Sequence, residues 1–335
     1  MEELYDFISR LPKAELHLHL GGSLEPELMF EKAKKNGVKI PFRNPEEARK
    51  AYVFKDLKSF LDLYDLAVSV LLDERDFYDL AYAYFKKASS QNVKRAEIFF
   101  DPQIQAKNGV DFDTLIKGLK KASDKAGEDF GLSVGLIMCF IRSMSESSAM
   151  ETLEQALQYR SWITGVCLAG KELENPPSKF ERVFMKAKDE GFYSVVHAGE
   201  EAPADYIWEA IRLLKADRID HGYNMFQDQK LVNYVREKGI PVTMCPLASV
   251  GVGYFDDVSK VPVKRALDLG IKVSVHSDDP AFFGGYINEN YYAVAESQKL
   301  SREEIRKIAM NSIDSSFINE KEKMKLKEEI EKLDR

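Results

Sequence analysis

Eight short apolar runs, at 14–19, 95–100, 132–139, 162–168, 192–197, 217–220, 240–245 and 271–276, are spread along the chain, and from residue 95 helical runs separate them. The helical runs fall at 111–126, 145–158, 178–190, 205–215, 227–238 and 261–269, without a Pro/Gly/Ser-rich linker between units. Strands that alternate with helices build parallel βαβ units, and eight such units predict a closed (β/α)8 TIM barrel of the α/β class. One barrel with an insertion accommodates all 335 residues, because such barrels run to about 250 residues or more. The expected unit is a single domain, 1–335, with a helical insertion after the first strand at approximately 21–94. Ser23-Leu-Glu-Pro26 opens that insertion with a cap and an early proline, and Phe54, Leu57, Phe60, Leu61 and Tyr64 recur at helical spacing. A helical cover over a barrel mouth dries the site and walls in a flat ligand. The Lys/Glu-rich tail, 301–335, reads as an amphipathic helical region and most simply as a solvated outer surface.

The five histidines are not scattered. His17 and His19 end the first predicted strand, His197 the fifth, His221 the sixth, and Asp278-Asp279 follows His276 and the eighth. Functional side chains of such barrels sit at the C-terminal ends of strands. In Ala14-Glu-Leu-His17-Leu-His19-Leu20, strict alternation puts Glu15, His17 and His19 on one face and the leucines on the other. Leucines against outer helices and imidazoles in the mouth explain that pattern, whereas two histidines on a wet surface strand serve nothing. Three imidazoles and a carboxylate, His17, His19, His197 and Asp278, suit one divalent metal ion such as zinc, with room for a water that the ion makes acidic. Glu200, near that centre in His197-Ala-Gly-Glu200, can pass a proton to substrate, and His221 can orient or deprotonate the water. Asp279 is the candidate to hold the substrate; its bland alternative, in Asp-Asp-Pro, is a helix cap.

Composition closes off other classes. The 48 basic and 55 acidic residues give a net charge of −7, which argues against nucleic acid as a partner. No apolar run reaches the roughly 18 residues of a membrane span, and Met1-Glu-Glu-Leu-Tyr-Asp is acidic where a signal peptide is basic. The expected setting is cytoplasmic, without membrane or nucleic acid, and with a homo-oligomer left open. Cys139, Cys167 and Cys245 stand far apart in apolar runs and read as buried thiols.

The ordered set Ala14-Glu-Leu-His17-Leu-His19, His197-Ala-Gly-Glu200, Asp220-His221-Gly222 and Ser277-Asp278-Asp279-Pro280 resembles the adenosine deaminase family of the amidohydrolase superfamily. Glu97-Ile-Phe-Phe-Asp-Pro-Gln103, Asn175-Pro-Pro-Ser-Lys-Phe180 and Asp278 through Tyr286 are similar to its adenine deaminase branch. The resemblance implies hydrolytic deamination of a 6-aminopurine, adenine to hypoxanthine and ammonia, as in purine salvage. It also implies His17, His19, His197 and Asp278 as zinc ligands, Glu200 as proton donor to ring N1, and His221 acting on the attacking water. Asp279 would bond N7, and the Gly170 amide ring N3. Adenosine, another adenine nucleoside or nucleotide, or N6-substituted AMP is the alternative substrate. A purine-binding homologue without turnover, or another metal hydrolase such as a phosphoesterase, is the remote one.

Three positions depart from the family pattern. Gly21 replaces an acidic residue or asparagine and leaves room for something larger; Lys171, beside Glu172, could admit a phosphate or carboxylate, although a loop lysine is usually solvated. His276 shares the aim of Asp278 and is expected to support the ligands rather than add one.

Overall fold

The computed structural model describes residues 2–333; residues 1, 334 and 335 of the expected unit lie outside the described residues. Its eight parallel strands are β1 (Lys13–His19), β2 (Val93–Phe100), β3 (Ser133–Ile141), β4 (Ile163–Ala169), β5 (Tyr193–Ala198), β6 (Arg218–His221), β7 (Val242–Met244) and β8 (Val273–Val275). They pair in chain order, and a parallel bridge between Leu18 and Asp278 brings the last back to the first. The fold is a (β/α)8 barrel of the amidohydrolase type.

Local chemistry starts and stops the helices. Asp111 caps Phe112–Phe130 by accepting from the Thr114 N–H, and Gly131 ends it in the left-handed conformation. Asp73 with Asp76, and Ser301 with Glu304, form reciprocal capping boxes at the starts of Glu74–Ser90 and Arg302–Asp314.

Between β1 and β2 lie four helices, Pro26–Asn36, Pro45–Lys50, Leu57–Val68 and Glu74–Ser90. The last packs along Phe112–Phe130 outside the barrel, where an ordinary barrel helix belongs. Covering the mouth falls to the segment before it, whose Leu57, Phe60, Leu61 and Tyr64 face the central pocket.

The expectation of a merely solvated tail fails over its first half. Helix Arg302–Asp314 packs on β8 and β1, burying Ile305, Ile308, Ala309 and Ile313. Asn311 Nδ2 donates to the Val273 carbonyl at 2.8 Å, and the Ala14 N–H donates to Ser312 Oγ at 3.0 Å. Surface character holds for Glu320–Lys332, in which Ile330 is the buried residue.

Beneath the mouth, beside an apolar cluster of Phe99, Ile137, Cys139, Cys167, Ala169 and Val195, lies a buried ion-pair network. Arg218, fully buried, donates to Glu97 Oε2 at 2.7 Å and to the Leu16 carbonyl at 3.0 Å. Glu97 also accepts from Arg95 Nε at 3.2 Å and from the Phe317 N–H at 2.6 Å. Burial alone would raise the Glu97 carboxyl, but Arg218 and Arg95 bring it below its ordinary value. Removing one partner of a buried pair strands the other, so Glu97→Gln should lower unfolding free energy by about 3–5 kcal/mol at neutral pH. An unfolded glutamate titrates near 4.3, so this stabilisation is complete above about that pH and is lost as pH falls through the lower folded value. Denaturant unfolding should show the gap between wild type and variant narrowing below about pH 4; a small gap at pH 7, or one constant into acid, contradicts the pairing.

Candidate active site

Backbone geometry at three strand ends aims the side chains. His221 and Asp278, neither a glycine, have φ of 68° and 63°, a left-handed conformation that ordinary residues adopt only when held there. Asp278 is held by the closure of the barrel, its N–H donating to the His17 carbonyl and its carbonyl accepting from the His19 N–H, both at 2.9 Å. The turn after β5 needs Gly199, at φ 74°, where a Cβ would lie 2.4 Å from Ile207.

His17, His19 and His197 bring ring nitrogens together. The Nε2 atoms of His19 and His197 are 3.1 Å apart, and Asp278 Oδ1 lies 3.3 Å from His17 Nε2 and 3.6 Å from His19 Nε2. Partners behind the rings orient two of them. Thr243 Oγ1 donates to Asp220 Oδ1 at 2.7 Å and therefore accepts from His17 Nδ1 at 2.8 Å. With Nδ1 so engaged, His17 turns Nε2 toward the centre, where among the described residues it has no hydrogen-bond partner. His197 Nδ1 is backed by Cys167 Sγ at 3.3 Å and Asp220 Oδ2 at 3.4 Å. Phe99 closes the floor, its ring 5.0–5.5 Å from the three imidazoles.

This arrangement fits a metal. Facing imidazole lone pairs repel unless a proton or cation lies between them, and bonds of about 2.0–2.1 Å in a tetrahedral zinc site put ligand atoms roughly 3.4 Å apart. His17, His19, His197 and Asp278 could hold such an ion, with Asp220, Thr243 and Cys167 as the outer support metal sites require.

The neighbouring carboxyls are driven apart in charge. Asp278 stays ionised, because His17, His221 and His19 lower it further than burial raises it. Burial and the Asp278 charge raise both Asp279 and Glu200 well above the ordinary range, so each tends to hold a proton. Burial, with His17 next, pushes His221 well down, favouring the neutral ring. A cation among the imidazoles would draw Glu200 and Asp279 part-way back and reinforce the neutral form of His221.

Glu200 Oε1 is 3.6 Å from His221 Nε2, and both line the central pocket with His19, His197, Asp278, Asp279, Asp101 and Gly170. Leu57, Phe60, Leu61, Ile104, Ile141, Val252 and Phe283 supply apolar walls. Every expected site residue but one is thus a pocket wall; His17 lies just beneath, fully buried. Asp279 makes no side-chain cap bond to the short helix it precedes, and among the described residues its buried Oδ1 has no partner. An orphaned buried oxygen aimed at a pocket suits a ligand rather than a cap. Gly22 makes room for it, since a Cβ there would meet Asp279 Oδ1 at 2.0 Å.

The three departures are resolved structurally. The space beside Gly21 is filled, as a Cβ would lie 2.4 Å from the Tyr64 hydroxyl and 2.6 Å from Val68, so the expected room for something larger is absent. Lys171 is half exposed, 3.6 Å from Glu174, and is not a wall of the pocket. His276 is fully buried below the centre, with Glu15 Oε1 at 3.0 Å and Ser274 Oγ at 2.7 Å.

The family model for adenosine deaminase matches residues 12–333. The chain belongs to the adenosine deaminase family. An adenine deaminase of Acinetobacter baylyi is 48% identical over 328 residues, covering 98% of this chain and 99% of that one. The crystal structure of an adenine deaminase from Arthrobacter aurescens superposes with a TM-score of 0.94 at 42% identity, covering 96% of this chain and 98% of that one. A Burkholderia ambifaria amidohydrolase with bound zinc shares the fold at 24% identity and a TM-score of 0.90, covering 98% of this chain and 93% of that one. This member of the adenosine deaminase family is a metal-dependent hydrolytic deaminase acting on a cyclic amidine.

Sequence reasoning missed Glu172, buried under the β5 turn. Its carboxylate accepts from the N–H groups of Gly199, Glu200, Glu201 and Ala202 at 2.6–3.0 Å, while Arg142 donates to the His197 carbonyl at 2.6 Å. No sequence pattern announces a side chain that serves backbone amides 27–30 residues on. Freed of this clamp the turn would shift Glu200, and a displacement of about 1 Å can cost roughly 10²-fold in rate. Glu172→Ala should therefore lower kcat at least about tenfold with metal content unchanged; steady-state kinetics with kcat within about twofold of wild type would contradict the clamp.

Proposed function

We propose that the protein deaminates adenine to hypoxanthine and ammonia with one zinc ion held by His17, His19, His197 and Asp278. The observation that carries the choice of substrate is what the pocket walls offer. Its ionisable walls are Asp101, Glu200, Asp278, Asp279 and imidazoles, and no lysine or arginine is among the described wall residues. A phosphate would find no cationic side chain among these walls to pair with it, and Tyr64 and Val68 occupy the space beside Gly21. An uncharged, flat base between Phe60, Leu61 and Phe283 suits the apolar remainder. Relatives named adenine deaminase support the same reading.

The ion, when bound, supplies the Lewis acidity that makes a water nucleophilic at neutral pH. Glu200, holding a proton, donates it to N1 and makes C6 electron-poor; His221, neutral, orients the attacking water and accepts its proton. Asp279, also carrying a proton, donates to N7, and the Gly170 amide, at φ 93°, donates to N3. Water adds at C6, and the amino group leaves as ammonia with a proton from these groups. A cytoplasmic setting suits the three buried free thiols. No described helix is long and apolar enough to cross a membrane.

The test is a substrate panel of adenine, adenosine, AMP and N6-methyl-AMP, followed by ultraviolet absorbance on the zinc-loaded protein. Adenine should exceed the others in kcat/KM by about 10² or more; preference for adenosine or a nucleotide overturns the assignment. His17→Ala should lose the metal, read by elemental analysis, and full occupancy would remove His17 from the ligand set. Glu200→Gln should keep metal while kcat falls about 10²–10⁴-fold; near-wild-type turnover would refute its role.

A further inference from the structure

Asp101 is a pocket wall with no part in the chemistry above. It follows β2, is buried, and accepts a hydrogen bond from the Tyr64 hydroxyl at 2.7 Å. A carboxylate offers about four acceptor positions, so one from Tyr64 leaves capacity for a ligand donor.

Position round the rim says which ligand atom Asp101 faces. The free base presents acceptors at N1, N3 and N7 and a ring N–H donor at N9. N1 and N7 flank the amino-bearing carbon, and in the pose proposed above Glu200 stands at N1 and Asp279 at N7, both walls of the pocket beside the imidazoles. Behind N1, in the six-membered ring, comes N3; behind N7, in the five-membered ring, comes N9. Round the barrel, Gly170 after β4 neighbours Glu200 after β5, while Asp101 after β2 and Asp279 after β8 lie either side of β1. With N1 on Glu200, N3 meets an amide donor and N9–H meets a carboxylate acceptor. The base turned over would set N9–H against the Gly170 N–H and N3 against Asp101, opposing donor to donor and acceptor to acceptor.

The geometry points to Asp101 as the residue that accepts the N9–H of the free base, with Tyr64 holding its carboxylate and occupying the space where a sugar on N9 would start. A nucleoside lacks that hydrogen and meets a buried tyrosine beside Gly21 instead. Selection between base and nucleoside thus rests on one hydrogen bond and one filled space. This inference depends on the pose proposed above.

The experiment compares kcat/KM for adenine and 9-methyladenine, which has no N9–H, in wild type, Asp101→Ala and the near-isosteric Asp101→Asn, each with metal content and thermal midpoint measured. Wild type should favour adenine strongly. Asp101→Ala should lose about 10- to 150-fold on adenine, the range for a hydrogen bond to a charged group, while 9-methyladenine stays within about threefold or improves. Asp101→Asn should show the same selective loss, smaller in size, and reads the effect if the alanine variant folds poorly. Equal losses on both substrates, or no loss on adenine, overturn the role of Asp101 while leaving adenine as substrate. A wild type that ignores adenine and deaminates a nucleoside or nucleotide overturns the substrate assignment itself, and this inference with it.

Discussion

The parallel bridge between Leu18 and Asp278 is the contact on which the site depends. Two backbone hydrogen bonds there, from Asp278 to the His17 carbonyl and from His19 to the Asp278 carbonyl, both close the barrel and hold Asp278 in a left-handed conformation. Barrel closure is therefore the step that sets a carboxylate 3.3 Å from His17 Nε2. A strand end carries this precision because its neighbours are pinned, which a free loop could not match.

Beneath that rim the molecule spends buried charge on orientation. Arg218 joins Glu97, the Leu16 carbonyl and the neighbourhood of Asp220, whose carboxylate in turn stands behind His17 and His197. Buried ion pairs contribute little net stability against apolar replacements, so their value here lies in fixing which imidazole nitrogen faces the centre. Glu172 does the equivalent for the backbone under Glu200. Two layers result, one for the chemistry and one that holds its parts in a single geometry.

Much of this was legible from residues alone. The alternation of β1 places Glu15, His17 and His19 on one face, and histidines at strand ends mark the rim. What was hidden shares a physical cause. Glu172, Asp101 with Tyr64, and Thr243 act through contacts 27 to 226 residues apart, and neither spacing nor residue type encodes such a meeting. Gly21 looked like vacant space because a glycine does not reveal what fills its side of the chain, which here is Tyr64. The amphipathic pattern of the tail shows a helix but not what its apolar stripe, Ile305, Ile308, Ala309 and Ile313, covers, which is β1 and β8.

The central claim is that strand ends far apart in sequence meet around one cation through nitrogen and oxygen atoms alone. Cys245 lies within reach of His17, His221 and Asp278, and Cys167 sits behind His197, so sulfur ligation is a concrete competitor. X-ray absorption at the zinc edge of the loaded protein separates the two. Ligation by His17, His19, His197 and Asp278 predicts one zinc per chain with nitrogen and oxygen scatterers at about 2.0–2.2 Å; a sulfur shell at about 2.3 Å, or no tightly bound zinc, would contradict it.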